Sequence, residues 1–167
     1  VLFNERLDGK EYEKLADDFK AEKFDARAWA KAAKDAGMKY MVLTTRHHDG
    51  FCLFDSKVSD FKATNSAAEK DFVREYVEAC REAGLKVGFY YSPLDWRFPG
   101  YFFPNLYWES AQALKKQCHD QLIELMTNYG KIDMLWFDGE WLALGGLDWT
   151  GEEGWFRKPD WAVGEYM

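Results

Sequence analysis

Asp138 closes the apolar run Leu135-Trp136-Phe137 and is followed by Gly139-Glu140-Trp141. A carboxylate in that position is costly to bury unless it is paired or put to use. Capping the next element is one use. Chemistry is the other, and it makes Asp138 a candidate nucleophile. If the chain stays extended, Asp138 and Glu140 stand about 7 Å apart, from a rise of about 3.3 Å per residue. Carboxyl pairs that cleave glycosidic bonds are about 5–5.5 Å apart with retention and about 6.5–9.5 Å apart with inversion. Gly139 favours a turn, so Glu140 is a partner only if the chain runs straight.

Two other segments carry polar and aromatic residues of the same kind. In Thr44-Thr45-Arg46-His47-His48-Asp49-Gly50, adjacent histidines point to opposite faces of a regular strand, but where the chain turns both can reach one pocket. Imidazole donates at one nitrogen and accepts at the other, which suits sugar hydroxyls. It also ligates metals, although this spacing matches no zinc pattern. A third outcome is a structural pair satisfied by backbone and Asp49. In Gly88-Phe89-Tyr90-Tyr91-Ser92-Pro93-Leu94-Asp95-Trp96, alternation puts Gly88 and Tyr90 on one face, Phe89 and Tyr91 on the other. A tyrosine there can stack on a ring and offer its hydroxyl, or simply pack. Trp96 is a platform for a ring or a loop anchor. Trp136 shares a face with Asp138. Carboxylates among tryptophans, histidines and tyrosines suit a carbohydrate site.

The elements that must position these residues repeat. AKDAGMKYMVLTT, CREAGLKVGFYYS and MTNYGKIDMLWFD align by eye, with terminating glycines Gly37, Gly84 and Gly130 spaced by 47 and 46 residues. Asp25 and Asp71 can cap the first two helices, and Phe24 with Trp29 can staple the first. That helix runs to about Ala36, with Trp29, Ala33 and Ala36 on one face. The second shares Phe72, Val73, Tyr76, Val77 and Cys80 on a face. The third spans about Tyr107 to Asn128, with Leu114, Cys118, Leu122 and Leu125 at helical spacing. Tyr12 to Phe19 fits a short helix ahead of them in the charged leader; His119, mid-helix, reads as a surface or core residue. Strands follow at Tyr40 to Thr45, Leu85 to Tyr91 and Ile132 to Phe137. The first is apolar on both faces, as in a strand covered on both sides.

A helix–glycine–strand repeat predicts parallel strands joined by right-handed crossovers. Long loops follow each strand and short turns precede it, so the candidate residues gather where α/β proteins carry their sites. The fold class is α/β: a small open sheet or a slice of a (β/α)8 barrel, which needs about 250 residues when closed. Trp149, Trp155, Phe156 and Trp161, in a stretch without periodicity, favour the slice.

The 167 residues, 47% hydrophobic and 18% aromatic, predict a folded chain of one domain. A net charge of −7 disfavours nucleic acid as a partner. No apolar run approaches the roughly 20 residues of a membrane span. Cys52, Cys80 and Cys118 lie far apart and read as small hydrophobes rather than a disulfide or zinc framework.

FDARAWAKAAKDAGMKYMVLTTRHHDGFCLFDSKVSDF, LKVGFYYSPLDW and YGKIDMLWFDGEW, in this order and spacing, resemble the α-L-fucosidases of glycoside hydrolase family 29. The likeness runs from about Tyr12 to Trp141. It implies a partial (β/α)8, TIM-like catalytic domain over residues 1–167, about three βα units with parallel strands, with the remainder of the barrel and a C-terminal β-sandwich outside the chain. It implies a retaining exo-glycosidase that releases terminal α-L-fucose from glycans or small fucosides and needs no cofactor or metal. By the same likeness Asp138 is the nucleophile, His47, His48 and Tyr90 contact the sugar, and Trp136 walls the pocket. The acid/base carboxyl is expected outside this chain, and Glu140 does not match it. The fragment is therefore expected to be weakly active or inactive alone; the alternative is a module that binds fucosylated glycans without hydrolysis. Secretion, a periplasm or a lysosome are the compartments the resemblance suggests.

Overall fold

A computed structural model describes residues 7–104 and 106–138. Gly139, Glu140 and the tryptophan-rich stretch to Met167 lie outside the described residues. The leader forms a short helix α1 (Gly9–Glu13) and one turn of 3-10 helix (Lys14–Asp18). Two of the three principal helices start at the capping signals. Asp25 accepts from Ala28 N at 2.9 Å to start α2 (Ala26–Asp35), and Asp71 accepts from Arg74 N at 2.9 Å to start α3 (Phe72–Glu82). A single turn, α4 (Pro99–Phe102), precedes the long α5 (Trp108–Asn128). Gly37, Gly84 and Gly130 have φ of 80°, 69° and 71°, the left-handed geometry that ends a helix and that side chains resist.

Each of these glycines leads into a strand: β1 (Tyr40–Arg46), β2 (Lys86–Tyr91) and β3 (Met134–Phe137). The sheet order is β1-β2-β3 and both pairings are parallel. Its two faces differ. Val87, Phe89 and Tyr91 of β2 join one apolar cluster with α2, α3 and α5, and Met41, Leu43, Leu135 and Phe137 pack against it. Phe89, Val77, Leu114 and Leu125 are almost fully buried there, each contributing about 1.5–3 kcal/mol of transfer free energy.

The opposite face carries Val42 and Thr44, Gly88 and Tyr90, Met134 and Trp136, in cross-strand rows. Gly88 is obligatory in its row, since a Cβ there would lie 2.9 Å from Met41 O and 3.0 Å from Val42 Cγ2. Trp136 is 57% exposed. The expectation that β1 is covered on both sides is therefore corrected: among the described residues helices cover one face only. A second correction concerns α2. Its buried side chains are Ala26, Ala30 and Ala33. Trp29 is half exposed and packs its edge on Phe24, 5.0 Å between centroids, so it serves the staple rather than the core. α3 and α5 bury the residues their periodicity singles out. All three cysteines are buried thiols, and burial pushes Cys52 up to about 12. No described helix is long and apolar enough to cross a membrane.

Candidate active site

β1 does not end in regular alternation. Thr44 pairs with Tyr90, but Tyr91 pairs with Arg46, so Thr45 is the extra residue of a bulge. A bulge re-aims the side chains beyond it. Here Thr45 and Arg46 are both buried. Thr45 donates its hydroxyl to Tyr90 O at 2.9 Å. Arg46 reaches into the core end of the sheet. Its Nη1 donates to Tyr91 Oη and to Ser92 O, each at 2.9 Å, and its Nη2 donates to Asp95 at 2.6 Å. Asp95 also accepts from Arg97 Nε at 2.9 Å and Nη2 at 2.7 Å. Burial alone would raise the Asp95 carboxyl. The two guanidiniums outweigh it and hold Asp95 below the usual carboxylate range. Gly50, at φ +82°, packs against this pair; a Cβ would lie 2.6 Å from Arg97 Nε. The loops after β1 and β2 are thus tied together by one buried ion network.

Above that network the chain presents His47 and His48. His48 O accepts from Trp96 N at 2.8 Å, and the Trp96 ring lies 5.2 Å from the His48 ring. Trp96 is therefore an anchor for His48, which the sequence left open. His48 is buried, and its Nδ1 is 2.6 Å from Ser92 Oγ. Its Nε2 faces Asp138 Oδ2 at 3.6 Å. Burial first, and His47 second, lower its affinity for a proton below that of free histidine. Asp49, a proposed partner of the histidines, instead accepts from the Tyr12 hydroxyl at 2.5 Å and from Phe51 N at 3.2 Å.

Tyr90 joins the cluster from β2. Its ring is stacked with His47 at 5.7 Å and meets Trp136 edge-on at 5.5 Å. Its hydroxyl donates to Asp138 Oδ2 at 2.5 Å. Burial, then that hydrogen bond, push the phenol well above its ordinary value, so it stays a donor. The fold brings His47, His48, Tyr90, Trp136 and Asp138 together on the strand ends, with the alternation of β2 and β3 as read. Arg46, Ser92 and Asp95 were not singled out by the sequence. Their signal is faint: an arginine, a serine and an aspartate near strand ends, with partners 49 and 44 residues apart in the chain.

His47, His48 and Asp138 offer ligand atoms within 4.8 Å of one another, so they could converge on a cation. Tetrahedral zinc, with bonds of about 2.0–2.1 Å, would draw its ligands to about 3.3 Å apart. A cation would also compete with the Tyr90 hydroxyl for Asp138 Oδ2. A cavity of about 560 Å³ lies elsewhere, beside Phe61, Arg97 and Phe98. None of the five clustered residues lines it.

An α/β protein with acid, imidazole and aromatic groups gathered at the ends of parallel strands is the class this fold and site define. The family described as Alpha-L-fucosidase matches residues 4–163, and the chain belongs to that family. A Bacteroides thetaiotaomicron α-L-fucosidase, solved as a trapped covalent intermediate with 2-fluoro-fucosyl fluoride, superposes with a TM-score of 0.78 at 36% identity, over 84% of this chain and 33% of that one. The α-L-fucosidase isoenzyme 1 of Paenibacillus thiaminolyticus gives 0.72 at 49% identity, over 80% and 35%. Human tissue α-L-fucosidase is 34% identical over 140 residues, 80% of this chain and 29% of that protein. The chain spans about a third of the length of the relatives it matches.

Proposed function

We propose that these residues are three βα units of the (β/α)8 catalytic barrel of a retaining α-L-fucosidase, with Asp138 its nucleophile. The observation that carries this is the meeting of Asp138 with Tyr90 and His48 beside His47 and Trp136. That helices among the described residues cover only one face of the sheet supports the barrel reading, since in a barrel the other face is the packed interior.

In this reading Asp138 attacks the anomeric carbon of fucose as the bond to the aglycone oxygen breaks. A carboxyl from outside the three units gives that oxygen a proton. Water then attacks the anomeric carbon, loses a proton to the same carboxyl, and releases Asp138. Tyr90 and His48 hold the Asp138 carboxylate toward the sugar, His47 and His48 take sugar hydroxyls, and Trp136 covers an apolar side of the ring. The trapped covalent intermediate of the Bacteroides relative supports a two-step route.

The test is the first anomer released by the full-length enzyme from an aryl α-L-fucoside, followed by proton NMR before mutarotation. α-Fucose is expected; β-fucose would remove Asp138 as nucleophile. Affinity for fucose without release would leave only the binding-module reading. The isolated 167-residue chain should hydrolyse weakly or not at all, and robust turnover by it would promote Glu140 to acid/base candidate.

The convergence of His47, His48 and Asp138 favours one rival, a metal-dependent hydrolase. Turnover unchanged after exhaustive chelation is expected. Loss on chelation with recovery on adding zinc would establish the rival.

A further inference from the structure

Ser92 is fully buried at the end of β2, and both sides of its peptide are held by one residue. Ser92 N donates to Arg46 O at 3.1 Å, and Ser92 O accepts from Arg46 Nη1 at 2.9 Å. Its hydroxyl has three polar neighbours. Leu94 N donates to Ser92 Oγ at 3.1 Å. His48 Nδ1 is 2.6 Å away, and Leu94 O is 3.5 Å away. A hydroxyl has one proton to give. Bonds of the O–H···O type run about 2.5–3.0 Å, so Leu94 O is a poor acceptor and His48 Nδ1 a good one.

We infer that Ser92 is a positioning residue that fixes His48 as the tautomer protonated at Nε2, so that His48 presents a donor to Asp138 and to the sugar. Hydrogen bonding at one imidazole nitrogen decides which nitrogen carries the proton. With Nδ1 accepting from Ser92, Nε2–H points at Asp138 Oδ2 across 3.6 Å. The other tautomer would set a nitrogen lone pair against that carboxylate oxygen. The relay runs from Leu94 N–H through the Ser92 hydroxyl to His48, and ends at Asp138. The neutral ring it requires agrees with the lowered proton affinity of His48, where burial and His47 outweigh Asp138 and Asp49.

The inference rests on the fucosidase reading for its consequence, but the tautomer can be read without any sugar. Long-range proton–nitrogen NMR on the histidine-labelled chain, which has three histidines, reports each ring nitrogen; His47→Gln and His119→Gln assign the signals. His48 should show a protonated Nε2 and a bare Nδ1. Ser92→Ala should move both signals toward the average of mixed tautomers. In the full-length enzyme Ser92→Ala should lower kcat/KM by about 10- to 100-fold, the usual range for loss of a group that orients a histidine from behind. Ser92→Thr, which keeps the hydroxyl, should restore the His48 signals. Thermal unfolding of each variant separates this from packing: a merely structural serine would lower the midpoint and leave the His48 nitrogens unchanged. A protonated Nδ1 in the parent chain, or unchanged His48 signals in Ser92→Ala, overturns the inference. An active Asp138→Gly with the tautomer as expected would instead overturn only the function.

Discussion

On the proposed function, Asp138→Gly should abolish fucoside turnover in the full-length enzyme, by at least about a thousandfold in kcat, or about 4 kcal/mol of barrier. Asp138 is the one carboxylate of the five-residue cluster, which otherwise offers imidazoles, a phenol held protonated and an indole. The fold should survive. Asp138 follows the last residue of β3, its side chain is about a third exposed, and the Tyr90 ring stays wedged between His47 and Trp136. The shortened side chain leaves room for a small anion beside the anomeric carbon. Azide should therefore restore part of the turnover and give the β-fucosyl azide, the product of a single inversion. An unfolded variant would give no azide product. A variant with near-normal hydrolysis would remove Asp138 from the mechanism.

Much of the scaffold was legible because its signals are local. Asp25 and Asp71 each close a hydrogen bond three residues on, and the glycines at the three helix ends need a left-handed backbone. The β2 pattern is also local: with neighbours on both sides, period-two alternation places Tyr90 on one face and Tyr91 on the other. Trp29 forms the staple with Phe24 as read, but the stripe it was grouped in does not say which of two adjacent faces meets the core. α2 turns Ala26, Ala30 and Ala33 to the core and leaves Trp29 half exposed. The coverage of β1 was misread for a related reason. Apolar side chains on both faces show that both can be covered, not that the residues covering them belong to the described part of the chain.

The site itself divides in the same way. Histidine, tyrosine, tryptophan and aspartate at strand ends were visible as residue types. What holds them was not. The bulge at Thr45 breaks the alternation on which any reading of Arg46 would depend, and turns a charged side chain inward. Its partner, Asp95, is 49 residues away, and Ser92 acts on His48 from a different strand. Such pairings depend on sheet register, which the spacing of a single sequence leaves open.

Asp95→Asn should destabilise the protein by about 3–5 kcal/mol, the range for removing one member of a buried ion pair. Arg46 is fully buried and would be left with its neutral acceptors, Tyr91 Oη and Ser92 O. Arg97 retains Glu13 at 2.8 Å and some exposure to water, so the loss falls mainly on Arg46. Replacing both charges, Arg46→Met with Asp95→Leu, should cost less than the sum of the two single changes, since neither charge is then stranded. Chemical denaturation of the four proteins measures that coupling, and strict additivity would show that the pair does not act as a unit. The pH dependence has a definite sign. Asp95 titrates lower in the folded protein than in the unfolded chain. Its contribution is therefore complete above the ordinary aspartate range near about 3.9, and is lost as pH falls through the lower folded value. Asp95→Asn should flatten the acid limb of stability against pH, and an unchanged limb would show that other carboxylates set it.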